Sequence, residues 1–307
     1  MMRPVDGGQS SPCQLGLGTV QFGIDYGVTN KNGVPSDATV VKILSDALKN
    51  KIGIIDTAPA YGNAEWRLGN LLPDNRDCQI VTKTAVRPKL NRFGRDDAEL
   101  VHRAFLDSLQ RLQRDHVYGL LVHLGTDLLL QGGERLVETL FALRAAGLVK
   151  KVGVSIYNAE ELDRILEVFT PEFVQLPLSI ADQRLLKSGH LAKLKRLGVE
   201  IHVRSVFLQG VLLAEPATLP DFLRTSTPQF ERIRTAVIGA SPLEVCLAFV
   251  RKVSEVDHVV TGAATLEEWS SIRSAFKKAE NIDLDFSELA IDDPMNLNPV
   301  EWPKIAN

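Results

Sequence analysis

The sequence has few cysteines and no excess of basic residues. Its 307 residues include three cysteines, Cys13, Cys78 and Cys246, none of them in a CxxC pair. An odd and widely spaced set argues against a disulfide framework and favours a reducing compartment. The formal charge is −3 at pH 7, and no basic run or basic stripe interleaved with aromatic residues is present. These features argue against nucleic-acid binding.

Long apolar runs are also missing. No stretch reaches the roughly 18 residues needed to cross a bilayer, and the N-terminal stretch MMRPVDGGQSSPCQLGLG lacks the apolar segment of a signal peptide. We therefore expect a cytoplasmic protein without membrane attachment. A GxGxxG motif does not follow the first apolar segment, which argues against a Rossmann domain. The composition, 45% apolar and 24% charged, is enough for a large core.

Eight short apolar segments alternate with longer segments of helical periodicity, at a spacing of about 30 residues. Apolar strands separated by helices are typical of a parallel sheet covered by helices, and eight such units favour a closed (β/α)8 TIM barrel. We expect one barrel domain over residues 1–307. The eight predicted strands are LGLGTV from Leu15, IGIID (Ile52–Asp56), QIVTK (Gln79–Lys83), VYGLLVH (Val117–His123), KVGVS (Lys151–Ser155), EFVQL (Glu172–Leu176), EIHVRS (Glu200–Ser205) and DHVVTG (Asp257–Gly262).

Helix starts and irregular segments are also visible in the sequence. Asn158, Ser241 and Thr265 each precede a helical pattern with glutamate three residues on, as in a capping box. Residues 212–241 form the longest irregular region, predicted to be a long loop that carries a helix (TPQFERIRTAVI) and lies over the site. The end of the chain, about residues 292–307, is rich in proline and asparagine and is predicted to be an extended tail.

Polar side chains end three consecutive predicted strands. Asp56 ends the second, Lys83 the third and His123 the fourth, while Tyr61 follows the second strand after a short loop. The carboxyl ends of barrel strands meet at one mouth, so these four should converge. Singly, each also fits a structural role: a helix cap, a solvated lysine, a hydrogen-bonded histidine, a loop tyrosine. Together they form a proton-transfer set, because an ammonium favours the phenolate and a carboxylate can hold the ammonium.

Four segments, DTAPAYGNAEWRLG, IVTK, LLVH and GLVKKVGVS, resemble motifs of the aldo-keto reductases. The resemblance extends from Leu15 to about Lys278. It implies a (β/α)8 barrel that binds a nicotinamide dinucleotide and transfers hydride to or from the carbonyl of a small molecule such as an aldehyde, ketone or sugar.

The resemblance also implies catalytic roles. Tyr61 would be the general acid/base, and Lys83 would lower its pKa. Asp56 would pair with Lys83. His123 would orient the carbonyl oxygen or share in proton transfer.

The resemblance also implies cofactor contacts, with departures at Ile156, Arg204 and Val206, the last of which replaces a proline common in the family. Ile156 stands where the family has an asparagine that binds the carboxamide, and Arg204 stands where a tyrosine is common. Arg204 would stack on the nicotinamide ring or, alternatively, form an ion pair at the barrel rim. The implied cofactor-binding residues are Gly18, Thr19, Asp56, Ser155, Gln175, Arg204, Ser205, Gln209, Gly210, Gly262, Ala263 and Glu268.

The sequence leaves more than one possibility for the nucleotide and for the class of function. Most members of the family that the chain resembles use NADP(H), which favours that nucleotide. Glu267 and Glu268, however, lie in the first turn of the last predicted helix and would repel a 2′-phosphate, so NAD(H) is the alternative. Glu268 could instead serve only in the capping box of Thr265. Two other functions remain open: a Schiff-base aldolase that uses Lys83, and a non-catalytic nucleotide-sensing subunit. The oligomeric state cannot be read from the sequence.

Overall fold

The computed structural model describes residues 13–72, 78–87, 91–291, 293–299 and 302–303. Eight parallel strands close into a barrel in the order of the sequence, which confirms the predicted (β/α)8 TIM barrel. Each predicted apolar segment overlaps one strand, and β1, β5 and β6 extend one or two residues beyond the prediction. The strands are β1 Gln14–Gly18, β2 Ile55–Asp56, β3 Ile80–Lys83, β4 Val117–Val122, β5 Val149–Ser155, β6 Phe173–Pro177, β7 Glu200–Arg204 and β8 His258–Gly262.

Helices cover the outside of the barrel and begin where the sequence places their caps. The side chains of Asn158, Ser241 and Thr265 accept backbone N–H groups at 2.9, 3.3 and 3.1 Å. Within the described ranges, no helix is both long and apolar enough to cross a membrane. The helices are α1 Val20–Gly23, α2 Asp37–Lys49, α3 Ala64–Leu71, α4 Arg95–Leu112, α5 Glu134–Ala145, α6 Ala159–Val168, α7 Arg184–Lys187, α8 His190–Arg196, α9 Thr227–Arg234, α10 Pro242–Lys252, α11 Leu266–Lys278 and α12 Pro294–Leu297.

The region of residues 212–241 contains short 3-10 turns at Pro216–Thr218 and Asp221–Ser226, followed by α9. The tail packs against it. Asn296 Nδ2 donates to Ser226 Oγ at 2.7 Å, and the Trp302 ring lies 5.6 Å from the Phe222 ring. The tail is not extended throughout, because the Asp293 side chain caps the one-turn helix α12. Residues 292, 300–301 and 304–307 of the predicted tail lie outside the described residues.

The barrel interior has an apolar middle layer between two polar ends. Phe173 is fully buried in this layer. Its ring fits because β4 and β5 each place a glycine against it: a Cβ on Gly119 or Gly153 would lie 2.5 or 2.7 Å from ring atoms of Phe173. The middle layer consists of Ile54, Val81, Leu121, Phe173 and Val260.

Phe173→Ala tests this filling. The substitution leaves a cavity that the closed barrel cannot collapse, so we expect the free energy of unfolding to fall by about 3–5 kcal/mol. Phe141→Ala on α5 is the control, since its side chain is 38% exposed, and should cost about 1 kcal/mol. Urea denaturation measures both. A loss for Phe173→Ala no larger than the control's would contradict the proposed packing.

Candidate active site

The carboxyl ends of the strands bring most of the predicted residues to one mouth of the barrel. Asp56, Lys83 and Ser155 are the last residues of β2, β3 and β5, and His123 directly follows β4. Gln175 lies on β6 in register with Ser155. Because side chains alternate along a strand, these residues face the barrel interior above the apolar layer.

An ion pair lies at the base of the mouth. Lys83 Nζ donates to both carboxylate oxygens of Asp56, each at 2.8 Å, and to the Thr57 carbonyl at 3.1 Å. Gln175 Nε2 donates to Asp56 Oδ1 at 2.7 Å. The side chains of Lys83 and Asp56 are only 1% and 5% exposed. Burial lowers the pKa of Lys83, but Asp56 and Tyr61 raise it by more, so the ammonium stays charged.

Tyr61 lies beside this ammonium, held by close packing of two loops. A Cβ on Gly23 would lie 1.7 Å from the Tyr61 carbonyl oxygen, and Gly62 has a left-handed φ of +58°. Only glycine fits such a close backbone approach. Lys83 Nζ is 4.9 Å from the centroid of the Tyr61 ring. Burial raises the pKa of Tyr61 above its ordinary value, and the charge of Lys83 opposes this rise without cancelling it.

His123 completes the group on the other side of the phenol. Its ring centroid is 6.2 Å from that of Tyr61, and the two rings are nearly perpendicular. Burial, together with the charges of Lys83 and Arg204, lowers the pKa of His123 to about 3. The imidazole is therefore neutral at pH 7. Its Nδ1 is buried and has no hydrogen-bond partner among the described residues.

The loop after β7 has an unusual backbone. Gln209 Nε2 donates to the Tyr26 hydroxyl at 3.3 Å, and a Cβ on Gly210 would lie 1.9 Å from Thr29 Oγ1. The loop thus packs closely on the segment that follows α1. Left-handed residues other than glycine are costly and concentrate at functional sites. Those in this loop are Ser205, Leu208 and Gln209, with φ of 60°, 48° and 55°.

Arg204 lies against the loop that follows β5. Its guanidinium carbon is 4.4 Å from the centroid of the Tyr157 ring. Nη2 donates to the Ile156 carbonyl at 3.2 Å, and Nη1 to Ser205 Oγ at 3.3 Å. In the part of the chain that the structure describes, Arg204 has no ion pair, so the guanidinium is held by stacking and by neutral acceptors.

The strand ends of β1 and β8 form the opposite side of the mouth. Gly18 and Gly262 are paired in register, and Ala263 follows. Thr19 Oγ1 donates to the Asp56 carbonyl at 2.9 Å, so this hydroxyl is tied to β2.

Glu268 ties the start of α11 to the loop after α1. Its carboxylate accepts the Ala264 N–H at 2.8 Å and the Asn32 side-chain amide at 2.9 Å. The Asn32 contact joins parts of the chain that are distant in sequence, and no local sequence pattern predicts it.

Gln21 is another residue that the sequence analysis missed. Its Oε1 is buried without a hydrogen-bond partner among the described residues. A Cβ on Gly262 would lie 2.1 Å from this oxygen, which places Gln21 beside the end of β8. A buried acceptor left unpaired costs free energy unless a ligand or water satisfies it. The one sign of Gln21 in the sequence is its place as a polar residue directly after the first predicted strand.

Comparisons with known proteins agree with this geometry. A family model described as the aldo/keto reductase family matches residues 14–290. Aldo-keto reductase YhdN of Bacillus subtilis (strain 168) is 29% identical over 231 residues, which are 72% of this chain and 67% of the relative. Protein tas of Escherichia coli (strain K12) is 27% identical over 331 residues, covering 89% of this chain and 90% of the relative.

A solved structure shows the same fold. Aldo-keto reductase AKR11C1 from Bacillus halodurans, in its holo form, superimposes with a TM-score of 0.71 at 20% identity. The match covers 90% of this chain and 92% of that one. With a family model that matches nearly the whole barrel, and with this mouth at its carboxyl end, the chain belongs to the aldo/keto reductase family.

Proposed function

We propose that this protein transfers hydride between a nicotinamide dinucleotide and a small carbonyl or alcohol, with Tyr61 as the general acid/base. Membership of the family implies nicotinamide-dependent carbonyl chemistry. The observation that carries the proposal is the buried ammonium of Lys83, held by Asp56 and lying 4.9 Å from the Tyr61 ring. The proposed substrates are small aldehydes, ketones or sugars.

The roles of the four residues follow from their charges. When bound, the nicotinamide supplies or accepts the hydride. In reduction, Tyr61 donates its proton to the carbonyl oxygen, and the Lys83 ammonium stabilises the phenolate that remains. Asp56 keeps this ammonium charged and in place. His123, neutral at pH 7, orients the substrate oxygen by a hydrogen bond and does not act as an imidazolium acid.

The residues at the mouth fit a nicotinamide nucleotide. The side-chain nitrogen of Gln175 donates to Asp56. We propose that the side-chain carbonyl oxygen of Gln175 accepts a hydrogen bond from the carboxamide of the nicotinamide. Ser155 lies next to it in register. The left-handed loop after β7 and the unpaired Gln21 Oε1 offer polar contacts for the rest of the nucleotide. Ile156 offers no side-chain hydrogen bond, so we assign the carboxamide to Ser155 and Gln175 alone.

The contacts of Arg204 bear on the proposed stacking of its guanidinium on the nicotinamide. One face of the guanidinium is covered by Tyr157. A planar group that stacks on one side can still present its other side to a ring. We therefore propose that Arg204 forms a layer between Tyr157 and the nicotinamide.

The two alternative functions have less support. A Schiff base needs a neutral amine, whereas Lys83 is held as an ammonium by two hydrogen bonds to Asp56. A nucleotide sensor does not require an acid, a phenol, an ammonium and an imidazole in one pocket. Borohydride trapping of substrate on Lys83 would favour the aldolase. Nucleotide binding without turnover across a panel of aldehydes, ketones and sugars would favour the sensor.

Tyr61→Phe tests the proton donor. Because the phenol acts in the transition state, we expect kcat to fall by about 100- to 10,000-fold, while the dissociation constant for reduced nucleotide stays nearly unchanged. The readouts are consumption of reduced nucleotide and a binding titration. Tyr26→Phe is the matched control, since it removes a hydroxyl at the mouth that accepts from Gln209, and it should keep most of its turnover. Activity of Tyr61→Phe within about tenfold of wild type would contradict the role.

Glu268→Gln tests the nucleotide preference. We propose NADP(H) as the nucleotide, with NAD(H) as the alternative that Glu268 favours. Glutamine removes the charge and keeps one acceptor oxygen, which can serve Ala264 or Asn32 but not both in the present geometry. If that charge faces the 2′-phosphate, the affinity for NADPH relative to NADH should rise by about three- to tenfold.

Glu267→Gln is the matched control, because this carboxylate lies in the same first turn of α11. The affinity for NADPH relative to NADH should change less in Glu267→Gln than in Glu268→Gln. Dissociation constants for both nucleotides decide the question. An unchanged ratio in Glu268→Gln would mean that the residue serves only to join α11 to the loop after α1.

A further inference from the structure

We propose a binding site for a divalent transition metal ion, suited to Zn²⁺, at the amino-terminal end of the barrel, formed by Glu200, His202 and His258. Glu200 and His258 are the first residues of β7 and β8. His202 faces the same way as Glu200, because side chains two apart on a strand share a face. The cluster therefore lies inside the barrel at the end opposite the active site.

An apolar layer separates this cluster from the catalytic group. His202 is fully buried, and its ring centroid is 5.1 Å from that of Phe173 in the middle layer. The Asp56–Lys83 pair lies beyond that layer, at the carboxyl ends of the strands. The proposed metal would thus not contact the nicotinamide or the substrate.

The three side chains already converge. Each offers one ligand atom, and these atoms lie within 4.8 Å of one another. His202 Nε2 is 2.6 Å and His258 Nε2 is 3.6 Å from the same oxygen, Glu200 Oε1. Ligand atoms around tetrahedral zinc are about 3.3 Å apart, given bonds of about 2.0–2.1 Å. Shifts below about 1 Å would therefore bring all three to bonding distance.

Hydrogen bonds within the described chain satisfy this cluster only in part: His202 Nε2 is hydrogen-bonded to Glu200 Oε1, whereas His258 has no such bond. The 3.6 Å separation between His258 Nε2 and Glu200 Oε1 is too long for a hydrogen bond. Nδ1 of both His202 and His258 is buried without a partner among the described residues. Two imidazoles and one carboxylate are a known zinc ligand set with a fourth position left for water.

Two further residues hold the carboxylate in place. Tyr118 donates its hydroxyl proton to Glu200 Oε2 at 2.7 Å, and Lys151 Nζ donates to the same oxygen. These two contacts direct the other oxygen, Oε1, at the two imidazoles. Residues that hydrogen-bond to metal ligands commonly orient them in this way.

The charge of Lys151 opposes a cation, but its effect is limited by solvent. The Lys151 side chain is 34% exposed, which screens its charge. The side chains of Glu200 and His258 are 14% and 11% exposed. This exposure gives the ion a path from the amino-terminal face and gives water access to the fourth position.

The test is metal binding by the full chain, freed of any affinity tag and stripped with a chelator. Zn²⁺ is titrated in competition with a chromophoric chelator, and Co²⁺ is titrated while its visible d–d absorption is recorded. We expect one Zn²⁺ per chain and the intense Co²⁺ absorption of a four-coordinate site. His258→Gln should weaken Zn²⁺ binding by about tenfold or more. His102→Gln, an exposed histidine on α4, is the control and should bind as wild type.

Two results would overturn the proposal. One is equal Zn²⁺ affinity in wild type and His258→Gln, which would place the ion on surface histidines. The other is a Co²⁺ spectrum of wild type without four-coordinate absorption, a measurement that does not depend on any variant folding. Circular dichroism of His258→Gln checks its fold. Turnover of reduced nucleotide should be the same with and without Zn²⁺, so the outcome is independent of the proposed reductase activity.

Discussion

The buried ion pair between Lys83 and Asp56 is the constraint on which the site depends. Removing two charges from water costs several kcal/mol per ion, and their attraction offsets this only when the geometry is good and the remaining groups are hydrogen-bonded. Here both carboxylate oxygens accept from Lys83, and Gln175 and the Thr57 carbonyl complete the set. Such a set requires β2, β3 and β6 in fixed positions, which the closed barrel provides.

The loops at the mouth are held to this frame by close contacts. Glu65, on the helix after Tyr61, is buried and accepts from Thr82 at 2.6 Å and from Arg111 at 2.9 Å. This anchors the helix that follows the Tyr61 loop, while the approach of Gly23 to the Tyr61 carbonyl fixes the loop from the other side. Backbone packing thus places the phenol against the ammonium.

Sequence patterns were sufficient for the barrel and for the convergence of its strand ends, since both follow from the order of apolar segments and their polar ends. They were not sufficient for contacts between distant loops, such as Asn32 with Glu268. The cluster of Glu200, His202 and His258 was also missed, because the segments EIHVRS and DHVVTG were treated as apolar strands. Cross-strand register decides that these histidines meet, and no periodicity within one segment encodes that register.

The pKa of the Tyr61 phenol, measured in wild type and in Lys83→Met, tests the central claim most directly. Tyrosine labelled with ¹³C at Cζ is titrated by NMR, and the Tyr61 signal, one of four, is assigned from its loss in Tyr61→Phe. Without the ammonium, the largest influence that opposes burial of the phenol is lost, whether or not Asp56 takes up a proton, and only the weaker one of Arg204 remains. We expect a higher pKa for Tyr61 in Lys83→Met than in wild type. An equal or lower pKa in a folded variant would contradict it.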